Sequence, residues 1–443
     1  MKIVFVGTGY VGLVSGTCLA EIGNLVTCVD NDLEKINALK NSKIHIYEEG
    51  LEALVTKNVN EGRLNFSSSV SNEISDADII FIAVGTPSAE DGKADLKYVF
   101  SVADVIANNA KNGVIIVTKS TVPVGTGDKL KKFIQNKNPN LEFYIASNPE
   151  FLREGSAVYD FMNPDRILIG VDENDNNTLQ KISKLYEGLT NKGFPIIQTD
   201  IRSAELAKYA ANAYLAMRVG FINEIADLCE ASNADISQVS KAIGMDKRIG
   251  SHFLKAGPAF GGSCFPKDTR AISAIAKEHN SELKIIDAVI TSNENRKISM
   301  AEKIIKACNG DVRSVNIAIL GTSFKANTDD IRESAALKII EILARKGANL
   351  YIFDPKALEN TKKYFAEIFE KENKTALDYN IFYSDFVADA LLKSQLACVI
   401  TEWNQFKNIN FSLYKNLETI VDLRGIIEPQ NCQDKKYITI GKN

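Results

Sequence analysis

The chain has no CxxC pair, only three histidines, no marked excess of charge of either sign and no apolar run long enough to cross a bilayer. Each absence removes a class of function. The seven cysteines (Cys18, Cys28, Cys229, Cys264, Cys308, Cys398 and Cys432) are scattered and odd in number. That argues against a disulfide framework and a structural zinc site, and it fits a reducing compartment. His45, His252 and His279 show no ligand spacing, so no metal site is expected. Lys+Arg 52 against Asp+Glu 56 gives a net charge of −4, which offers neither a nucleic-acid footprint nor a polybasic membrane arm. The opening run Ile3–Val6 is broken at once by Gly7, Gly9 and Gly12, with no small-residue cleavage site after it, so it does not read as a signal peptide. A spanning helix needs about 18 apolar residues, and no stretch approaches that. A cytoplasmic protein acting on a small molecule, without nucleic-acid or membrane partners, is the expectation.

What is present is the rhythm of an α/β protein. With 443 residues the chain is too long for one core and suggests two or three domains. Continuous apolar runs at Ile3–Val6, Leu25–Val29, Ile79–Val84, Val114–Thr118 and Tyr144–Ala146 predict strands buried on both faces of a parallel sheet. Tyr98–Ala110 reads as one of the helices between them. From Thr199 the texture changes. Ser203–Glu230 is free of proline, rich in Ala, Leu and Glu, and predicts one long helix. Helical patterns continue to Ala307, broken by the glycine-rich Gly257–Cys264. Strands resume at Asn316–Leu320, Asn349–Phe353, Leu396–Thr401 and Thr419–Leu423. There Ile317–Gly321 and Tyr351–Asp354 repeat the order of Ile3–Gly7 and Thr27–Asp30, without a second glycine fingerprint. The expected division is 1–198, 199–310 and 311–443: two Rossmann-like, parallel doubly wound domains joined by a long central helix and a helical region.

Gly7-Thr8-Gly9-Tyr10-Val11-Gly12 follows a predicted strand and opens a predicted helix. In a dinucleotide site the first glycine makes the tight turn, the second lets the pyrophosphate approach and the third lets helix and strand pack. Asp30, ending the second strand, is placed to accept from ribose hydroxyls and to repel the extra phosphate of NADP. Lys35 nearby weakens that preference. A tight turn without a cofactor is the competing explanation.

Cys264, in Phe260-Gly261-Gly262-Ser263-Cys264-Phe265-Pro266-Lys267-Asp268, falls at or just before a helix start marked by Pro266. Unpaired N–H groups there would favour a thiolate, and Asp268 lies one turn on. A small buried cysteine after a flexible turn is the alternative. Lys208 and Asn212 share one face of the long helix, either aimed at a developing oxyanion or, for the lysine, simply solvated. Asn148-Pro149-Glu150-Phe151-Leu152-Arg153-Glu154-Gly155 follows a strand, where open sheets place their ligands. Thr86-Pro87 and Ser120-Thr121-Val122-Pro123 hold equivalent loop positions, as functional residues or as ordinary turns.

Taken in order, GTGYVG, KSTVPVGT, NPEFLREG, the alanine-rich helix with Lys208 and Asn212, FGGSCFPKD and SFKANTDDIRES resemble the UDP-glucose 6-dehydrogenases of the UDP-glucose/GDP-mannose dehydrogenase family. The resemblance spans essentially the whole chain. It implies a homodimer formed through the central helical region and oxidation of UDP-glucose at C6 to UDP-glucuronate with two NAD. Carried over by residue, Cys264 is the nucleophile that forms a thiohemiacetal and then a thioester. Lys208 and Asn212 stabilise the C6 oxyanions, Asp268 and Thr121 handle water and protons, and Glu150 serves thioester hydrolysis. The cofactor set is Gly7, Gly9, Tyr10, Val11, Gly12, Asp30, Lys35, Thr86, Thr121, Glu154 and Arg332. The sugar nucleotide is implied to meet Glu150, Phe151, Leu152, Glu154, Lys208 and Asn212. Phe253, Leu254, Lys255, Phe260, Gly261 and Lys325 complete that set, with Arg248 reaching in from the neighbouring subunit. GDP-mannose 6-dehydrogenases and UDP-N-acetylhexosamine dehydrogenases are the nearest alternatives, although the latter typically carry a histidine where this chain has Ser263. An NAD(H)-sensing protein with a dead active site is the alternative from another class, and a two-electron hydroxyacid dehydrogenase would need no cysteine.

Overall fold

The computed structural model describes residues 1–89 and 91–442. The chain divides into two compact units, Met1–Ala211 with Ala271–Ser281 and Asn212–Arg270 with Glu282–Asn443.

The first unit is built on eight strands: β1 (Ile3–Val6), β2 (Val26–Val29), β3 (Leu64–Ser67), β4 (Ile79–Ile82), β5 (Val114–Thr118), β6 (Phe143–Ser147), β7 (Ile167–Val171) and β8 (Ile196–Thr199). They lie in the order β3-β2-β1-β4-β5-β6-β7-β8. Six strands in the order 3-2-1-4-5-6 form the doubly wound dinucleotide fold, and the order reverses between β1 and β4. The sheet is parallel except where β7 runs antiparallel to β6, a departure from the wholly parallel sheet expected. Helices cover both faces, so strand residues are buried on either side: Ile3 and Phe5 join one core, Val4 and Val6 the other. This two-sided burial is why the central strands read as continuous apolar runs.

The second unit carries β9 (Asn316–Leu320), β10 (Asn349–Phe353), β11 (Ile381–Tyr383), β12 (Leu396–Val399), β13 (Thr419–Asp422) and β14 (Lys436–Thr439), in the order β11-β10-β9-β12-β13-β14. All neighbours are parallel. The repeated sequence pattern is a repeated geometry. Gly7 N donates to Val29 O and Gly321 N to Phe353 O, both at 2.8 Å. Both glycines turn left-handed, with φ of +107° and +98°.

The acids ending the second strand of each set differ. Asp30 accepts from Thr8 N (2.9 Å), Thr8 Oγ1 (2.8 Å) and Asp32 N (3.1 Å) and is only half-buried. Asp354 is buried and takes six donors: Thr322 N, Ser323 N, Ser323 Oγ and Trp403 Nε1 on Oδ2, with Lys356 N and Ala357 N on Oδ1.

The long helix runs Ile201–Ser232, two residues beyond the expected span at each end. No helix among the described residues is long and apolar enough to cross a membrane.

Candidate active site

At the β1–β4 reversal the three fingerprint glycines have separate physical reasons. A Cβ on Gly7 would stand 2.7 Å from Ala83 O, and one on Gly12 would run into the Gly7 carbonyl. A Cβ on Gly9 would meet nothing within 4 Å, which leaves that side of the turn approachable. Gly9 also caps the helix Tyr10–Glu21 without a side-chain hydrogen bond, so Tyr10, Val11 and Gly12 present N–H groups at a helix start. These residues, with Asp30 beside them, fit a dinucleotide. Lys35 pairs with Asp32 at 3.3 Å on the same rim.

The loops after β4 and β5 are tied together. Thr86 Oγ1 donates to Thr121 O at 2.9 Å, and Ser120 Oγ to Val84 O at 2.6 Å. Glu205 on the long helix accepts from Gly125 N (2.7 Å) and Gly127 N (2.8 Å) at the start of the helix Thr126–Lys137. Burial raises its carboxyl to about 7 against those two N–H bonds.

After β6, Glu150 and Lys208 form a buried ion pair, Nζ to Oε1 2.9 Å. Lys208 is therefore not a solvated surface charge. Leu152 N donates to Glu150 Oε2 at 2.5 Å. Burial pushes the Glu150 carboxyl up, but the charge and hydrogen bond of Lys208, the Leu152 N–H and the charge of Lys119 hold it below its ordinary value. The Phe151 ring carries the Arg166 guanidinium at 3.6 Å and Lys208 Nζ at 5.4 Å.

Glu48 was not anticipated. Its buried carboxylate takes Tyr10 OH and Gly155 N on one oxygen and Ala157 N on the other, the last two at 2.7 Å. It thereby joins the first glycine turn to the segment containing Glu150 and Glu154. One of two adjacent glutamates, Glu48 and Glu49, gives no sequence signal for such a role.

In the second unit, Cys264 immediately precedes the helix Phe265–Glu278, with Ser263 Oγ 3.4 Å from its sulfur. Asp268 N closes the first helical bond to Cys264 O at 2.8 Å. The Asp268 carboxylate is buried between Asn212 Nδ2 (2.6 Å) and Lys267 Nζ (2.5 Å). Asn212 is thus fixed by Asp268, a link its position on the long helix did not announce.

The glycine loop is clamped from several sides. Asn293 brackets Phe260, accepting from its N–H (2.9 Å) and donating to its carbonyl (3.1 Å). Arg296 Nε donates to Gly257 O at 2.6 Å, and Asn223 Oδ1 accepts from Gly257 N at 2.9 Å. A Cβ on Gly261 would lie 2.5 Å from Glu333 O, and one on Gly262 2.7 Å from the Phe324 ring. The FGGSC and SFKANTDDIRES motifs are thereby pressed together.

Phe253 has φ +60°, a left-handed conformation costly for a bulky side chain and concentrated at functional sites. Ser240 Oγ donates to the carbonyl of the following Leu254. Burial lowers the Lys255 ammonium, as do Arg424 and Lys407 nearby, while Glu402 and Asp422 oppose them. Lys325 Nζ lies 5.4 Å over the Phe324 ring. Of the two predicted arginines, Arg332 chelates Asp330 while its carbonyl accepts from Gly262 N at 2.8 Å, and Arg248 chelates Asp246 with its side chain exposed.

Family models match in series along the chain: the NAD binding domain of the UDP-glucose/GDP-mannose dehydrogenase family over residues 1–190, its central domain over 202–295 and its UDP binding domain over 318–429. The chain belongs to that family. It is a dehydrogenase whose cofactor is NAD. The chain is 45% identical over 448 residues to the UDP-glucose 6-dehydrogenase of Rhizobium meliloti (strain 1021), covering 100% of both. It is 43% identical to UDP-glucose 6-dehydrogenase TuaD of Bacillus subtilis (strain 168), covering 99% of this chain and 92% of that one. Its fold matches a UDP-glucose dehydrogenase from Pyrobaculum islandicum with a TM-score of 0.89 at 33% identity, covering 100% and 98% of the two chains.

Proposed function

We propose that this family member oxidises UDP-glucose at C6 to UDP-glucuronate, through covalent intermediates on Cys264. The observation that carries this reading is Cys264 itself: of the seven thiols it alone immediately precedes a helix, after a clamped glycine loop. Gly7–Gly12 and Asp30 would hold NAD, which would supply the hydride acceptor for each oxidation at C6. An aldehyde is a poor hydride donor until a nucleophile adds to it. Cys264 Sγ bonds to C6 of the aldehyde and a proton passes to its oxygen, giving a thiohemiacetal. Loss of hydride from that carbon and of the proton from its hydroxyl leaves a thioester. Water then adds, the C–S bond breaks and the thiol is regenerated with the carboxylate.

In this reading the Lys208 ammonium and the Asn212 amide stabilise negative charge on the C6 oxygen. Glu150, kept ionised by Lys208, takes the proton of the hydrolytic water, and Asp268 and Thr121 order protons around the sulfur. Lys255, Lys325 and the Phe253–Leu254 backbone hold the nucleotide sugar, and Glu154 and Arg332 lie toward the cofactor. The functional division is 1–198, 199–310 and 311–443. Dispersed free thiols support a cytoplasmic setting.

A homodimer belongs to the same reading. Tyr214 (54% exposed), Phe221 (51%) and Leu228 (61%) recur every seven residues along the long helix, an apolar stripe suited to a second copy. Arg248 is then the residue offered to the neighbouring site.

The test is purified protein with NAD and a panel of UDP- and GDP-sugars, following NADH per mole of sugar. Two NADH per UDP-glucose is expected, and Cys264→Ala should make no acid. A ratio of one, or acid from Cys264→Ala at the wild-type rate, overturns the covalent scheme.

A further inference from the structure

Lys119 follows β5 and is buried, yet no step above uses it. Its Nζ donates to Asn148 Oδ1 at 3.0 Å and lies 3.5 Å from Tyr186 OH. Tyr186 OH also donates to Asn148 Oδ1, at 2.5 Å, while Asn148 Nδ2 donates to Leu168 O at 2.8 Å. The Leu168 carbonyl fixes which way the amide faces, so Asn148 presents its oxygen to Lys119. Asn148 is two residues from Glu150. The charged and titratable groups facing Lys119 are Glu150, Lys208 and Tyr186. Burial, together with the charge of Lys208, lowers the Lys119 ammonium to about 8 against the pull of Glu150, and burial pushes the Tyr186 hydroxyl up. One buried carboxylate therefore sits in the field of two buried ammoniums, of which only Lys208 touches it.

We propose that Lys119 is an electrostatic positioning residue for the Glu150–Lys208 pair, a second cation that sets the pH at which Glu150 begins to work as a base. The inference rests on the reading of Glu150 as the base for thioester hydrolysis. A cation near a carboxylate favours its ionised form. Without the Lys119 charge, Glu150 keeps its proton to higher pH and the acid limb of the kcat profile moves up.

The variants are Lys119→Met, Lys119→Gln and Tyr186→Phe. The glutamine still donates to Asn148 but carries no charge. Both Lys119 variants should raise the acid limb by roughly half a unit to one unit. Tyr186→Phe removes a hydrogen bond but leaves the cation, so its limb should stay in place. If Met at 119 does not fold, the glutamine variant gives the decisive measurement. An acid limb unmoved in the folded Lys119 variants, with kcat merely scaled down, overturns the proposal. A readout independent of turnover is the infrared carboxylic-acid band abolished by Glu150→Gln, whose titration midpoint should rise in the same variants. A midpoint that rises without matching movement of the kcat limb leaves the electrostatics intact and refutes Glu150 as the base. A midpoint that stays put refutes the role of Lys119.

Discussion

Lys208→Met separates the electrostatic worth of the buried pair from its chemistry. Methionine has nearly the reach of lysine and fits an apolar environment, so the perturbation is loss of one charge. Glu150 is then left buried with the Leu152 N–H at 2.5 Å but without the ammonium at 2.9 Å. Breaking a buried pair from one side costs about 3–5 kcal/mol. Lys119 remains as a second cation, so about 3 kcal/mol is the expected cost at neutral pH. The pH dependence follows from Glu150. In the wild type its carboxyl is held below the ordinary 4.5, so the pair's stabilisation is full above that value and fades as pH falls. In the variant burial prevails and raises the carboxyl, so the penalty is small near pH 4 and grows as pH rises. Glu150→Gln added to Lys208→Met should restore most of the loss, because glutamine still accepts from Leu152 N without a charge to bury.

Urea unfolding followed by circular dichroism at pH 5, 7 and 8 measures this, as a midpoint that separates from wild type as pH rises. An equal loss at pH 5 and pH 8 would refute the reasoning, as would a double variant no more stable than the single one.

Two further outcomes follow. Wild type should prefer NAD to NADP, and Asp30→Asn should narrow that preference by about tenfold, roughly 1.4 kcal/mol, on removing the carboxylate. Comparable turnover of wild type with NADP would show that Asp30 repels nothing. Phe221→Glu should convert a dimer into monomer in light scattering while the melting temperature of each unit changes little. An unchanged mass would move the interface elsewhere.

The architecture was legible where burial is two-sided. Ile3–Val6 and Val114–Thr118 were placed to the residue because both their faces must be apolar. The outer strands were not. β3 alternates buried and exposed residues, β8 is half exposed and β14 begins with a lysine, so none forms an apolar run. β7 was missed for a different reason. Gly170 reads as a breaker in a strand, yet a Cβ there would come within 2.6 Å of the Ala204 side chain, so the glycine lets the long helix lie against the sheet.

The fingerprint turn was legible from its place between a strand and a helix, whereas Cys264, Lys208 and Asn212 stood out from bland alternatives only through the series of motifs in which they sit. Glu48, Asn293, Arg296 and Lys119 were not legible. Their partners lie tens of residues away, and the roles depend on burial that no local pattern reports.

The saturated carboxylate of Asp354 bears on how electrons leave the protein. Its oxygens are committed to the loop and helix around it, so the second Rossmann-like unit has the outline of a dinucleotide fold without an acid to offer a ribose. Among the described residues the glycine fingerprint at Gly7–Gly12 then stands as one berth for NAD, and in the proposed reaction four electrons pass through it. Under the proposed chemistry, reduced cofactor has to depart and a fresh molecule arrive while the half-oxidised sugar stays in place. The order of release becomes a kinetic requirement, with NADH the quick tenant and the sugar nucleotide the slow one.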